Sequence, residues 1–188
     1  MTFLDLVLNS IKEDEKSWNK FRSAISEREI KSKTVLLNEG DIANCIHFIK
    51  KGCLRQGFNK DGKDITFQFF FEDQAVASID SFINGTPSLF SIESIEASSI
   101  LSIKKDDFDE ILQAYPKLKE AFQSLIFQRF RNYTRLFLSR IKDTPRERYE
   151  DLVTNHPEIV KRIPQHYIAS YLGITAISLS RIRNRKKT

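Results

Sequence analysis

The fold is decided by residues 163–187, which read IPQHYIASYLGITAISLSRIRNRKK. Two apolar stripes at helical spacing flank Gly173, namely Ile168, Ala169 and Leu172 before it and Ile174, Leu179 and Ile182 after it. Glycine suits a sharp corner because it adopts left-handed backbone at little steric cost. The small Ala169 permits a close helix crossing, and the Thr175 hydroxyl is placed to cap the second helix. The pattern predicts a helix-turn-helix, whose second helix enters the DNA major groove. An αα-corner inside an ordinary helical core is the alternative.

The distribution of charge favours the DNA-binding interpretation. From residue 159 to the end there are seven Lys or Arg and no Asp or Glu. The first 158 residues carry 23 basic and 25 acidic side chains, so the net charge of +5 comes from the basic C-terminal segment. Such a segment is attracted to a phosphate backbone, which indicates double-stranded DNA as the partner.

Composition sets the class of protein. With 188 residues and 40% hydrophobic side chains, the chain can hold one good core, rich in its 15 Phe, and a small second module. No run approaches the ~20 apolar residues of a membrane span, and the N-terminal residues turn acidic without a basic leader, so no secretion signal and no membrane partner are expected. Cys45 and Cys53 do not make a disulfide framework; although a pairing between them is conceivable, reduced thiols in a cytoplasmic protein are the preferred interpretation.

Hydrophobic periodicity divides the chain into segments. Residues 2–30 look helical, with a second run through Trp18, Phe21 and Ile25. Short β-type runs follow at 34–38, 45–50, 53–59, 64–71, 91–96 and 99–104, and 78–84 interrupts them as one helical turn. Glycine-containing turns separate the first of these runs, which predicts a β-sandwich or barrel. From Asp106 the pattern is helical.

The longest helical pattern covers residues 117–142, roughly 39 Å at 1.5 Å per residue. One apolar stripe runs through Phe122, Ile126, Phe130, Tyr133, Phe137 and Ile141. A second stripe contains Leu118, Ala121, Leu125 and Leu136. Two apolar faces are more than one small domain can cover, so we expect one face to pack on the β-roll and the other to form a dimer interface with a second copy of the chain. The residues assigned to this interface are Phe122, Ile126, Phe130, Tyr133 and Phe137. A long core helix in a monomer is the alternative. Thr144 and Pro145 then begin the next helix.

This order of elements resembles the cyclic-AMP receptor protein/FNR family of bacterial transcription regulators. The resemblance rests on Glu39-Gly40-Asp41 with Lys51-Gly52-Cys53-Leu54, and on residues 165–181. It implies an α+β fold with a β-roll (jelly-roll) sensor like a cyclic-nucleotide-binding domain over 1–115, a dimerisation helix over 116–142 and a helix-turn-helix domain over 143–188. It also implies a homodimer on a two-fold operator, a sensor whose ligand repositions the DNA-binding heads, and RNA polymerase as a further partner.

The sensor departs from the family pattern. Members that bind cyclic AMP hold its ribose and phosphate with a Gly-Glu pair and an Arg-Ser or Arg-Thr pair, and alignment places Ala77, Ser78, Ser88 and Leu89 there. Serine cannot neutralise a buried phosphate, and no Lys or Arg lies between Lys63 and Lys104, so cyclic-nucleotide binding is not expected. Ser78, Ser81 and Ser88 mark the candidate pocket for another effector, and an empty sensor is the alternative. No N-terminal cysteine cluster for iron–sulfur is present, and His47 is the only histidine of the sensor, so no cofactor is expected.

The reading head also departs from the family. The residues assigned to DNA are Gln165, His166, Thr175, Ala176, Ile177, Ser178, Ser180, Arg181, Arg183, Arg185, Lys186 and Lys187. Arg181 matches a family arginine that reads guanine, whereas Ala176 and Ile177 offer only apolar contact, for instance with a thymine methyl. The sequence after this helix is too short for the family's β-hairpin wing, so a helix-turn-helix without a full wing is predicted.

Two other classes of function compete with a transcription regulator. A β-roll also builds cupin metalloenzymes, but these need clustered histidines, and His47, His156 and His166 are scattered. No nucleophile–base pair is visible either, so the protein is not expected to be an enzyme. The second rival is an interaction protein that kept the fold and lost its operator, which would show no sequence preference and little salt dependence.

Overall fold

The computed structural model describes residues 1–184, which form two compact units. The first unit consists of residues 1–56 and 70–128, and the second consists of residues 57–69 with the chain from Arg129 onward. The helices of the first unit are α1 (Phe3–Lys12), α2 (Glu15–Phe21), α3 (Ile79–Asn84) and α4 (Lys105–Ala114), with a 3-10 turn at Arg22–Ala24. Helix α5 (Pro116–Lys142) begins in the first unit and ends in the second.

The strands form two four-stranded sheets. They are β1 (Ile25–Ile30), β2 (Val35–Leu37), β3 (Cys45–Lys51), β4 (Leu54–Lys60), β5 (Lys63–Phe70), β6 (Ala75–Val76), β7 (Ser91–Ser94) and β8 (Ser98–Lys104). The strand orders are β1-β8-β3-β6 and β2-β7-β4-β5. The far ends of β4 and β5 and the turn between them belong to the second unit. All the predicted β-type runs are strands, and 78–84 contains α3 as predicted.

The N-terminal helical prediction is wrong at its end. Residues 25–30 form β1, which pairs antiparallel with β8 from Ile25 opposite Ile103 to Ile30 opposite Ser98. Trp18 and Phe21 lie in a helix, as their spacing predicts, and the helical region ends in the 3-10 turn. From Ile25 onward the backbone N–H and C=O groups form hydrogen bonds with β8 instead, so strand pairing overrides the local helical period. The helical region is also interrupted at Asp14, whose carboxylate accepts the Ser17 N–H at 2.9 Å and begins α2. Strand β6 was not predicted from the sequence.

The core of the first unit is aromatic-rich, as the composition predicts. Phe48, Phe70 and Phe108 are fully buried together with the isoleucines of β3 and β8. The Phe108 ring packs edge-on against Phe122 with centroids 5.0 Å apart, and Phe3 lies 5.8 Å from Phe122. The first half of α5 is therefore a structural member of this unit.

Gly52 fixes the predicted turn between β3 and β4. Its φ is +105°, and a Cβ built there would lie 2.1 Å from Ser98 Oγ and 2.8 Å from Ser98 Cα. Its N–H donates to Glu72 Oε1 at 2.7 Å. Both the left-handed backbone and the closeness of Ser98 require glycine at this position.

The second unit is helical apart from the β4–β5 hairpin. After α5 it contains α6 (Pro145–Asn155), α7 (Pro157–Arg162), α8 (Gln165–Tyr171) and α9 (Ala176–Asn184). Thr144 caps α6 and Pro145 occupies its first turn, as predicted. The buried residues of this unit include Tyr149, Leu152, Ile159, Ile163, Ile168 and Leu179. The α+β fold class, with a β-rich domain, a long helix and further helices, is confirmed. The predicted domain boundaries at 115/116 and 142/143 stay a prediction.

Candidate nucleic-acid interface

Helices α8 and α9 meet at a corner that Gly173 makes possible. The φ of Gly173 is +69°. Its N–H donates to Ser170 O, and the N–H of Ile174 donates to Ala169 O, both at 2.9 Å. These bonds close the end of α8 with the left-handed residue that the sequence predicted. Ala169 is buried, as a close crossing of the two helices requires.

The start of α9 is fixed by Thr175. Its Oγ1 accepts the N–H of Ser178 at 3.1 Å, which is the N-cap bond predicted from the sequence. The Ser178 hydroxyl lies 3.0 Å from the same Oγ1. The two hydroxyls therefore stabilise the first turn of α9, whose backbone N–H groups have no acceptor within the helix.

One face of α9 is exposed. Leu179 is fully buried and Ile182 is half-buried, while Ala176, Ile177, Ser180 and Arg181 are exposed. These four positions lie within about 140° of one another at 100° per residue, so they share the face opposite Leu179. Ile177 is 66% exposed. Ala176 and Ile177 give this face an apolar part next to a guanidinium.

The remaining residues assigned to DNA are placed differently. Gln165 and His166 are exposed in the first turn of α8, whereas Ser178 and Arg183 are half-buried. Arg185, Lys186 and Lys187 lie outside the described residues. Arg181 and Arg183 form no ion pair within residues 1–184, and no Asp or Glu follows Glu158 in the sequence. The face therefore keeps its positive charge unneutralised.

Two arginines hold the corner from outside the motif. Arg148 of α6 donates through Nη2 to Leu172 O at 2.9 Å and through Nη1 to Asp143 O at 2.6 Å. Arg140 of α5 donates through Nη2 to Tyr171 O at 2.9 Å. The carbonyls that end α8 are satisfied by these guanidinium groups. Sequence reasoning missed both residues because they lie 24 and 31 positions from their acceptors.

The β4–β5 hairpin is attached to α8 within the same unit. Ser170 Oγ accepts the Thr66 N–H at 2.9 Å and donates to Asp64 O at 3.1 Å. The Phe69 and Tyr171 rings have centroids 5.2 Å apart. Burial, with the charge of Asp151 adding to it, raises the pKa of Tyr171 to about 12. Since β5 is the edge strand of its sheet, the Ser170 hydroxyl forms hydrogen bonds with backbone groups that no neighbouring strand pairs.

The second half of α5 exposes an apolar stripe. Phe130 and Phe137 are each 64% exposed, Ile141 is 67% exposed and Tyr133 is 37% exposed. Their spacing puts all four within a narrow sector of the helix. Ile126 is half-buried against the core of the first unit. Phe122 is only 6% exposed and packs on Phe108, so its assignment to a dimer interface is wrong: its own chain already covers the ring.

The three serines of the predicted effector pocket are buried and bonded within the chain. The Ser78 and Ser88 hydroxyls lie 2.9 Å apart, and Ser88 Oγ lies 2.7 Å from Phe90 O. Ser81 Oγ accepts the Ala43 N–H at 2.8 Å. Leu89, at the other position of the family's phosphate pair, is exposed. The hydroxyls therefore serve the packing of the first unit.

The first unit contains a buried cation that precedes the stretch between Lys63 and Lys104. The guanidinium of Arg55 on β4 contacts Glu93 of β7, with Nη2 2.7 Å and Nε 3.0 Å from Oε2. The side chains are 9% and 17% exposed. Because the carboxylate already neutralises the guanidinium, Arg55 does not stand in for the missing phosphate-binding arginine.

His47 and the two cysteines offer no ligand set. His47 is buried, and its Nδ1 lies 2.8 Å from Ser102 Oγ, as expected for an internally satisfied histidine. Cys53 is buried and Cys45 is half-buried, both as free thiols. Within residues 1–184 there is no group of three His, Cys, Asp or Glu that could hold a metal ion. In the same range, every helix is too short or too polar to cross a bilayer.

His47 leads to a prediction about pH. Burial, with Arg28 adding to it, lowers the pKa of His47 from 6.5 to about 4. The unfolded chain binds a proton between these values and the folded chain does not, so the free energy of unfolding should fall by about 3 kcal/mol as pH drops from 6.5 to 4. Urea unfolding of the wild type and of His47→Gln across this range isolates the effect from titrating carboxylates. Parallel stability curves for the two proteins would contradict it.

Comparison with known proteins supports the same architecture. Residues 27–115 match the family model of the cyclic nucleotide-binding domain. This match covers the β-roll from within β1 to the end of α4 and does not extend to the helix-turn-helix. No curated protein matches the sequence.

Several solved structures share the fold, and these neighbours are regulators of the Crp/Fnr type. The c-di-GMP-responsive global regulator CLP of Xanthomonas campestris is 14% identical, with a TM-score of 0.72 over 93% of this chain and 92% of its own. A CooA mutant from Carboxydothermus hydrogenoformans is 16% identical, with a TM-score of 0.73 over 96% and 84%. FixK2 from Bradyrhizobium japonicum is 16% identical, with a TM-score of 0.73 over 86% and 83%.

Proposed function

We propose that this protein is a DNA-binding transcription regulator that reads a two-fold operator as a homodimer. The single observation that carries the proposal is the exposed face of α9, which combines Arg181 with Ala176 and Ile177. A solvent-facing isoleucine beside an unpaired guanidinium is poorly suited to water but complementary to a major groove that presents a guanine and thymine methyls. The Crp/Fnr-type fold of the neighbours supports the same function.

The roles proposed within the motif follow from exposure. Ala176, Ile177, Ser180 and Arg181 face outward and read bases. Gln165, His166 and the helix start at Thr175 and Ser178 are assigned to phosphates, which accept hydrogen bonds from polar side chains and from the N–H groups of a helix start. Arg183, with Arg185, Lys186 and Lys187 after it, completes the backbone contacts. RNA polymerase stays a prediction that rests on the resemblance alone.

Arg181 and Arg183 test this assignment as a matched pair. Arg181→Ala should cost about 1–3 kcal/mol on the preferred operator and relax the choice of one base pair per half-site, because a two-pronged donor to guanine is lost. Arg183→Gln should weaken every DNA sequence alike and lower the salt slope of log K by about one. The measurement is a binding series over operator variants and salt concentrations. Equal loss on all sequences for Arg181→Ala would show that the helix docks in another register.

The sensor of this regulator is proposed not to bind cyclic nucleotides. Ser88 lacks the charge that a buried phosphate needs, its hydroxyl is engaged with Ser78 and Phe90, and Arg55 is paired with Glu93. Calorimetric titration with cyclic AMP and cyclic GMP should therefore give no heat of binding at physiological concentrations. A micromolar dissociation constant for either nucleotide would contradict the electrostatic argument.

The rival function is an interaction protein that has the fold without an operator. The charge of the C-terminal segment argues against it, because seven Lys or Arg with no Asp or Glu from residue 159 onward are attracted to a phosphate backbone. The two functions differ in salt dependence, which is steep for operator binding and shallow for a protein partner.

A further inference from the structure

The first unit contains a cavity of about 490 Å³ that the proposed regulatory function does not use. It lies between α1 and α2 on one side and strands β1, β3 and β8 on the other. Its apolar surface is formed by Leu4, Leu8, Trp18, Ile25, Ile49 and Leu101. Ile49 and Leu101 are buried members of the core, whereas the other four are half-buried. The apolar lining therefore reaches from the core to solvent, which suits the apolar part of a small ligand.

Two of the lining carboxylates and one cation are already engaged. Asp5 accepts the Thr2 N–H at 2.7 Å in the capping box of α1. Glu27 pairs with Lys50 at 2.5 Å across neighbouring parts of the sheet. The charges of Glu27 and Lys50 offset each other, whereas Asp5 keeps its negative charge, because the hydrogen bond from Thr2 holds the pKa of its carboxyl below the ordinary value.

The helical side also carries two cations. Lys12 Nζ lies 5.5 Å from the centre of the Trp18 ring, and the side chain of Arg22 has no hydrogen bond or ion pair within the described chain. On the opposite side, Asp73 lies in a left-handed turn whose N–H donates to Ile49 O at 2.9 Å. The helical side thus presents Lys12 and Arg22 beside an aromatic ring against the single carboxylate of Asp5, and Asp73 lies across the cavity.

We propose that this cavity binds a small amphipathic carboxylic acid. Its hydrocarbon or aromatic body lies on Leu4, Leu8 and Trp18, and its carboxylate pairs with Arg22 and Lys12. The planar guanidinium of Arg22 matches a carboxylate through two N–H donors, which an ammonium cannot do. The site is separate from Ser78, Ser81 and Ser88, and it does not depend on the protein binding DNA.

Trp18 makes the site directly observable, because it is the only tryptophan in the sequence. The test titrates the full-length protein with octanoate and follows the tryptophan emission, with calorimetry as a second readout. Octanol and octylammonium are the matched probes of equal chain length. We expect saturable octanoate binding with a shift in emission, and weaker binding of both other probes because neither can pair with Arg22 and Lys12.

Substitutions separate the carboxylate contact from general apolar binding. Arg22→Gln and Lys12→Gln should each weaken octanoate binding roughly fivefold and leave octanol binding unchanged, since an ion pair with an exposed side chain contributes modestly. Lys20→Gln is the control, because Lys20 pairs with Glu110 outside the cavity. Circular dichroism checks that each variant is folded, and the two independent cation variants guard against one that is not.

Three outcomes would overturn the proposal. The first is no change in Trp18 emission and no heat at millimolar octanoate. The second is equal binding of octanoate and octanol, which would reduce the site to an apolar groove. The third is tighter binding of octylammonium, which would assign the charge recognition to the carboxylates of Asp5 and Asp73.

Discussion

Arg55→Met should lower the free energy of unfolding by about 3–5 kcal/mol, the largest loss of stability that we expect from a single substitution of a buried residue. The change leaves the Glu93 carboxylate in a site that is 17% exposed, without the two guanidinium contacts at 2.7 and 3.0 Å. An unpaired buried carboxylate loses most of its hydrogen bonds to water and gains no protein donor in their place. Thermal unfolding followed by circular dichroism should show a fall in Tm of about 10 °C.

The double variant Arg55→Met with Glu93→Gln is the control for this result. It removes the stranded charge while keeping the side-chain volumes close to the original. Because replacing a buried pair by neutral groups costs far less than breaking it, the double variant should recover most of the loss. A single variant within about 1 kcal/mol of the wild type would mean that the pair is effectively solvated.

In the proposed homodimer, Phe137→Asp should separate the two copies into monomers and weaken binding to the proposed operator more than about a hundredfold. Phe137 is 64% exposed in one chain, so the substitution does not disturb the core of that chain. In a dimer joined along α5 the change occurs twice, and each aspartate replaces an apolar contact that contributes about 2 kcal/mol with a charge that resists burial. Sedimentation at micromolar concentration and a binding titration measure the two effects.

Leu89→Asp is the matched control for the dimer prediction. It introduces the same charge at an apolar side chain that is 78% exposed and far along the sequence from α5. This variant should remain dimeric and bind DNA as the wild type does. A wild type that stays monomeric at high micromolar concentration would contradict the interface, and so would a dimeric Phe137→Asp.

The sequence predicted those features whose cause is local. The corner at Gly173, the caps at Thr175 and Thr144, and the 3.6-residue period of α5 each depend on a few neighbouring residues, and each is present. The strand β1 was missed because Ile25 continues a helical spacing, and only the distant partner β8 reveals its true state. Local period is therefore a weak guide where a segment joins the edge of a sheet.

The supports of the candidate interface could not be predicted for the same physical reason. Arg140, Arg148 and the hairpin residues that meet Ser170 act through hydrogen bonds between residues distant in sequence. Nothing in the type of residue distinguishes Arg148 from the exposed arginines around it. Phe122 shows the converse error, because periodicity grouped it with the exposed stripe although the core of the first unit covers it.

The central claim, sequence-specific reading of DNA by a dimer, is tested most directly by selecting bound fragments from random double-stranded DNA. The account predicts enrichment of a roughly two-fold symmetric site, with half-sites about one helical turn apart, and binding that weakens steeply with salt. The Arg181→Ala protein, selected in parallel, should recover the same symmetry with one base pair per half-site relaxed. Recovery of unenriched random sequences by the wild type, with affinity independent of salt, would contradict the claim and favour an interaction protein.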